Sequence, residues 1–304
     1  MAIIKRAITE DGSARLFVMN STDIVRRSCT IHHTSKTTTA LLGRTLTAAS
    51  LMGTLLKDRD NSLTVQLRGD GPVGLVVCTS DYKGNVRGYV ENPDAELPPN
   101  AQGKLDVGGA VGKGTLYVIK DLGLGEPYIG VCPLVSGEVA EDITSYFANS
   151  EQTPTVCALG VRVNTDNMCT AAGGYLLQLM PGADDAIIDR LEANIHVMNT
   201  VSKLIADGKT ADDIIEMVFD GIPHTLFDEF TAEYRCNCTR DRYKNALVGL
   251  NDADMEELTK AGTDIETSCR FCGAKYVFPL QEILDARAEK KAEREEAENS
   301  IEQK

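Results

Sequence analysis

Four cysteines stand in two tight pairs toward the end of the chain. Cys236 and Cys238 lie in "AEYRCNCTRDRY", and Cys269 and Cys272 in "TSCRFCGAKYVF"; residues 239 to 268, a run of 30, separate the pairs. Such a set suits a structural zinc site, a disulfide framework, a nucleic-acid finger or a chemical sensor. Zn2+ takes four soft sulfur ligands at about 2.3 Å in a tetrahedron, and C-x-C followed by C-x-x-C supplies them. Gly273, directly after the last thiol, gives the backbone room to turn. The expected ligands of one Zn2+ per chain are therefore Cys236, Cys238, Cys269 and Cys272. A C-x-C pair is less usual in a purely structural site.

Two features point beyond structure. Arg235, Arg240, Arg242 and Arg270 bracket the cysteines. Positive charge there offsets the negative charge of a four-thiolate centre and keeps the sulfurs as thiolates, the form that oxidants attack. The members of each pair are also near enough in sequence for Cys236–Cys238 and Cys269–Cys272 disulfides once the metal leaves. A disulfide across one intervening residue is strained and easily reduced again. The segment from Tyr234 to Phe278 carries few large apolar groups and cannot bury enough core to fold alone. A bound metal would add on the order of 10 kcal/mol of folding free energy. The plainer alternative is a structural zinc ribbon in a protein that binds a protein or RNA partner.

Elements must position these thiols. "SLTVQLRGDGPVGLVVCTSDYKGNVRGYV", "GTLYVIKDLGLGEPYIGVCPL", "VCALGVRVN" and "CTAAGGYLLQLMPGA" read as short strands joined by glycine-rich turns, implying a mainly antiparallel sheet. Two helices interrupt them. One spans "SKTTTALLGRTLTAASLMGTLLKD", with Leu42, Leu46, Leu51, Leu55 and Leu56 at helical spacing. The other is "SGEVAEDITSYFANSEQ", with Ser136 as its expected cap. Helices on an antiparallel sheet make an α+β domain. From Asp184 to Asp207 a stripe through Ile187, Leu191, Ile195, Met198, Val201 and Leu204 keeps helical period, and Gly208 stops it. A further helix opens at Thr210, with Asp213 three residues on. Within the cysteine segment one helix is expected from Asn251 to near Gly262. The expected order is an α+β core over 1–182, a small helical region over 183–221 and an apolar linker over 222–233. A four-cysteine module over 234–280 and a charged tail over 281–304, helical or disordered, follow.

Composition limits the function. The chain has 304 residues and a formal net charge of −14. Phosphate binding needs a clustered basic surface, yet residues 232 to 280 hold eight acidic groups against seven basic ones. Nucleic acid and anionic membrane surfaces are thus not the expected partners. No apolar run reaches transmembrane length. Glu10 and Asp11 stand where a signal peptide needs an apolar core. A cytosolic location is expected, and nine cysteines there do not read as a disulfide framework. "GGAVGKGT" fails as a phosphate loop, because Gly114 stands where Ser or Thr must follow the lysine. Cys29, His32 and His33 in "CTIHHTS" share one short stretch but have no partner acid. Cys78, Cys132, Cys157 and Cys169 read as free buried thiols. With no nucleophile elbow or cofactor fingerprint, an enzyme is not expected.

The long segments carry a resemblance. "VQLRGDGPVG", "EDITSYFANSEQTPT" and "AAGGYLLQLMPGA", together with "CNCTRDRYKNAL" and "CRFCGAKYVF", resemble the redox-regulated, zinc-containing heat-shock chaperones, the thirty-three-kilodalton holdases of the bacterial cytosol. The stretch around Asp241 departs slightly from the usual wording after the first pair, which alters charge spacing but no ligand. The resemblance implies a reduced, zinc-bound and nearly inactive form, with the four cysteines at the ligand positions. It implies activation by hypochlorite, or by peroxide with heat, through conversion of the four thiolates to two disulfides with loss of zinc. The module then unfolds, the apolar linker destabilises and homodimers form. These hold unfolding client proteins without ATP.

Overall fold

The computed structural model describes residues 1–302, with side chains as far as Glu293. It divides into two units, Met1–Arg235 and Cys236–Lys304.

The first unit opens with strands β1 (Ala2–Thr9) and β2 (Ala14–Asn20), then helices α1 (Thr22–His32) and α2 (Lys36–Gly53). Three strands follow: β3 (Ser62–Gly69), β4 (Leu75–Asp81) and β5 (Val86–Val90). Helix α3 (Val107–Val111), strands β6 (Gly114–Asp121) and β7 (Tyr128–Pro133), and helix α4 (Ala140–Asn149) come next. Strands β8 (Thr155–Val163) and β9 (Cys169–Leu179) lead to helices α5 (Asp185–His196), α6 (Val201–Ala206) and α7 (Ala211–Val218). Short strands β10 (His224–Leu226) and β11 (Phe230–Ala232) close the unit. One sheet runs β10-β1-β2-β9-β8, with β11 also on β1; the other runs β5-β4-β3-β6-β7. All these pairings are antiparallel, so the expected α+β class holds.

Helix α2 lies in the main core with inward residues of both sheets, among them Ile4, Phe17 and Leu176 of the first and Val65, Val76 and Val118 of the second. It is buried along nearly its whole length. Its composition permits this. A methyl added at Gly43 would lie 2.8 Å from Val25 Cγ1 and 3.0 Å from Val161 Cγ2, so only glycine fits there. Its buried hydroxyls bond back to the helix, Thr45 to Leu41 O at 2.9 Å and Thr47 to Gly43 O at 2.8 Å, which offsets their desolvation. A second core fills the other face of the first sheet, where Leu16, Val18 and Leu177 meet Leu191, Leu204, Ile214 and Phe219.

Several details differ from the sequence expectations. The stripe from Asp184 to Asp207 is two helices, broken at 197–200, where Val197 is exposed and Thr200 is extended at the start of α6. Val197, Asn199 and Thr200 there favour helix poorly. Ser136 does not cap α4. Instead Val139 precedes the helix at φ 71°, and Ala140 N donates to Glu138 O at 2.9 Å. This γ-turn is a strained geometry for a β-branched residue. The fully buried Asp142 carboxylate holds it, accepting from Val135 N at 2.7 Å and Val139 N at 3.0 Å. Finally, α1 was not evident in the sequence.

The segment after α7 runs along β1. Ala7 pairs with Leu226, and Ile4 with Phe230. The Arg6 guanidinium lies 4.3 Å over the Phe230 ring and donates to Asp228 O at 3.2 Å. Tyr234 then reaches β5, its hydroxyl donating to Gly88 O at 2.8 Å and lying 3.0 Å from His32 Nε2.

The second unit holds helices α8 (Arg240–Val248) and α9 (Asp252–Ala261), the hairpin β12 (Ile265–Ser268) and β13 (Lys275–Phe278), and helix α10 (Leu280–Glu302). Helix α9 has the Asn251 cap and the left-handed Gly262 expected of it. Helix α8 is an addition, started by Thr239, whose side chain accepts from Arg242 N at 3.2 Å. The tail expected from 281 is helical through Glu302, and its last two residues lie outside the described ones. The core here is small: Leu247, Val248, Met255, Ile265, Phe278 and Ile283. Among the described residues no helix is long and apolar enough to cross a membrane.

Candidate metal centre

The two cysteine pairs come from different local structures. Cys236 and Cys238 lie in the extended chain before α8, and Cys269 and Cys272 in the turn of the β12–β13 hairpin. That turn is a compact knuckle. Cys269 N donates to Ala274 O and Gly273 N to Cys269 O, both at 2.8 Å, and Gly273 sits at φ 72°, a conformation that favours glycine.

All four sulfurs lie within 4.8 Å of one another. Cys236 Sγ is 3.7 Å from Cys269 Sγ, and Cys238 Sγ is 3.4 Å from Cys272 Sγ. A regular tetrahedron with metal–sulfur arms of about 2.3 Å has edges of about 3.8 Å. The donor set and its size therefore fit a soft, tetrahedral metal ion. Cys269 is buried and the other three are half-buried.

Shared burial sets the electrostatics. Burial pushes the Cys236 and Cys272 thiols up, reinforced by the neighbouring sulfurs. Burial also raises Cys269, but the Tyr243 hydroxyl and the backbone N–H groups of Cys272 and Phe271 outweigh it and bring the thiol down to about 7. Four thiolates at this spacing repel one another. A dication among them would favour the thiolate at every position.

Two tyrosines that the sequence reading missed face the sulfurs. The Tyr276 hydroxyl donates to Cys238 Sγ at 3.2 Å, a bond that moves the phenol up to about 12. Tyr243 stacks on Tyr276 with ring centroids 4.9 Å apart, its hydroxyl 3.5 Å from Ser268 O. The signal for Tyr276 was strand alternation: Val277 faces out while Tyr276 and Phe278 face in.

The arginines have other engagements. Arg240 donates to both Glu282 oxygens, at 2.8 and 2.6 Å, and lies 4.5 Å over the Phe278 ring. Arg242 donates to Asn237 O at 3.1 Å, holding the residue between the first two thiols. Arg270 is exposed in the knuckle. Arg235 belongs to the first unit, where its N–H donates to Val86 O at 2.9 Å.

The remaining candidates do not converge on a shared site. Cys29 Sγ lies 3.8 Å from Thr39 Oγ1, His32 meets Tyr234, and His33 ends α1 in the left-handed conformation. Cys78, Cys132, Cys157 and Cys169 are unpaired and buried. Burial pushes Cys78 and Cys157 well up and Cys169 to about 12, so they stay as unreactive thiols. Only the first four residues of "GGAVGKGT" lie in the short helix α3, and the strand β6 begins at Gly114 where a phosphate loop needs a helix.

Known proteins are similar to this chain over most of its length. A 33 kDa chaperonin of Ruminiclostridium cellulolyticum is 43% identical over 280 residues, covering 92% of this chain and 96% of its own. One of Clostridioides difficile is 42% identical over 283 residues, covering 93% and 97%. The crystal structure of the 33 kDa chaperonin (heat shock protein 33 homolog) of Thermotoga maritima matches with a TM-score of 0.87 at 34% identity, over 95% of this chain and 99% of that one. The Hsp33 protein family matches residues 3–279, and the chain belongs to that family.

Proposed function

We propose that this Hsp33-family chaperone is a redox-switched holdase of the cytosol, with Cys236, Cys238, Cys269 and Cys272 holding one Zn2+ in its reduced form. The observation that carries the reading is the convergence of four thiols from two separate segments, within 4.8 Å, in a unit whose core is small. Bound zinc would supply a positive charge that keeps the four sulfurs as thiolates and ties the chain before α8 to the knuckle.

The chain's own groups perform the switch. A peroxide or hypochlorite takes two electrons from each pair, giving Cys236–Cys238 and Cys269–Cys272 disulfides and freeing the ligand positions. The small core of residues 234–280 then no longer holds its fold, and the apolar linker, residues 222–233, loosens. Exposed apolar surface binds unfolding client proteins without ATP, and the oxidised chains pair as homodimers. The first 182 residues serve as the α+β core, residues 183–221 as its helical flank and residues 281–304 as a charged tail. Neither nucleic acid nor membrane is a partner in this reading. Arg235, Arg240, Arg242 and Arg270 contribute positive field around the thiolates.

The test counts zinc released and thiols lost during oxidation, alongside suppression of a client's thermal aggregation before and after. One zinc and four thiols lost together, with protection appearing only afterwards, is the expected outcome. Equal protection in both states would sink the switch. Zinc retained under peroxide, with unchanged helix content, would make the centre a structural ribbon.

A further inference from the structure

The two sulfurs of the first pair differ in their surroundings. The Tyr276 hydroxyl is hydrogen-bonded to Cys238 Sγ at 3.2 Å. Cys236 Sγ instead takes the Cys238 backbone N–H and lies 3.7 Å from Cys269 Sγ. The hydroxyl is fixed in place. Tyr276 pairs with Thr267 across the hairpin, its ring stacks on Tyr243 at an interplanar angle of 27°, and the next residue but one, Phe278, is fully buried.

A hydroxyl donating to a thiolate stabilises the charge that the sulfur must give up when it attacks. Each sulfur accepts one hydrogen bond, but a phenolic O–H is a stronger donor than the backbone N–H that Cys236 takes, so Cys238 is the slower nucleophile. We propose that Tyr276 is a positioning residue that divides the roles within the first pair. Cys236 attacks the oxidant, and Cys238, held back by the hydroxyl, resolves the intermediate. The inference rests on the redox reading above.

The steps balance with a hydroperoxide as oxidant. The Cys236 thiolate donates an electron pair to the outer peroxide oxygen, the O–O bond breaks, and hydroxide or alkoxide leaves. Cys236 is then a sulfenic acid, oxidised by two electrons. The Cys238 thiolate attacks Cys236 Sγ, the S–O bond breaks, hydroxide leaves and the disulfide closes. Tyr276 keeps its proton throughout.

The experiment treats full-length, zinc-loaded protein with limiting hydrogen peroxide in the presence of dimedone, which caps sulfenic acids, and locates the label by peptide mass spectrometry. Label on Cys236 should exceed that on Cys238 by about tenfold, the rate difference expected when part of a charge-assisted hydrogen bond is lost at the transition state. In Tyr276→Phe the ratio should fall toward one. The wild-type ratio decides alone if that variant binds less metal. In the Co2+-substituted protein, Tyr276→Phe should move the thiolate-to-cobalt charge-transfer band to longer wavelength, a change that loss of packing alone does not produce. Equal labelling of the two cysteines, or an excess on Cys238, overturns the inference while the redox reading survives. Zinc retained with all four thiols intact overturns the redox reading and the inference with it.

Discussion

Replacing Tyr234 by Phe removes a single oxygen, but that oxygen ties the end of the 222–235 segment to the first unit. The hydroxyl donates to Gly88 O at 2.8 Å, accepts from Gly88 N at 3.3 Å and lies 3.0 Å from His32 Nε2. Phe keeps the ring and strands these half-buried partners, at a cost of about 2 kcal/mol. That is about a 30-fold larger constant for local opening. The adjoining bonds share the opening: Arg235 N to Val86 O and Val86 N to Glu233 O, at 2.9 and 3.0 Å, and the pairing of β11 with β1. Native-state hydrogen exchange should show the amides of Val86, Arg235 and β11 exchanging about 30-fold faster, with α2 unchanged. If release of this segment gates client holding, the oxidised variant should also protect a client at a lower temperature than wild type. Wild-type exchange at Arg235 and β11 in a folded Tyr234→Phe protein would refute the reasoning.

Serine at Cys236 or at Cys269 should lower bound zinc well below one per chain, read by metal analysis, and reduce helix content by circular dichroism as α8 and α9 melt; full zinc in either variant contradicts the ligand assignment. Gly43→Val should destabilise the first unit by roughly 1–3 kcal/mol in urea unfolding, because a side chain there overlaps Val25 and Val161. Asp11 is held at about 2, below its usual 3.8, chiefly by the Ser13 hydroxyl, with help from Thr9 and the Ser13 N–H. A depressed carboxyl contributes stability that is complete above about 4 and disappears as pH falls through about 2. The difference in melting temperature between wild type and Asp11→Asn should therefore shrink across that window, and a pH-independent difference would refute the link.

The parts of the molecule that were plain in the sequence are those where one signal dominates. The four thiols needed only their spacing. Asn251 and Gly262 bracket α9 because a cap and a left-handed stop are local chemistry. The hidden parts depend on what packs against them. The run Leu16-Phe17-Val18-Met19 shows no alternation, because β2 is buried on both faces, with Leu16 and Val18 in one core and Phe17 and Met19 in the other. Helix α1 carries Arg26 and Arg27 in its middle, and Arg26 turns to Cys169 O at 2.9 Å, a partner 143 residues away. The tyrosines at the thiols were missed for a related reason. Only the folded hairpin and α8 bring Tyr276 and Tyr243 against each other.

One consequence follows from the way the first sheet is finished. β1 is an interior strand only because β10 and β11, drawn from more than two hundred residues later in the chain, line its far side. Should that segment peel away, β1 becomes a border. The backbone N–H and C=O groups of β1 that face β10 and β11 lose their partners, with Ile3 already 43% exposed beside them. An unpaired border of this kind accepts any extended polypeptide regardless of its side chains. The same few residues that complete the sheet would, on leaving, make it one strand short.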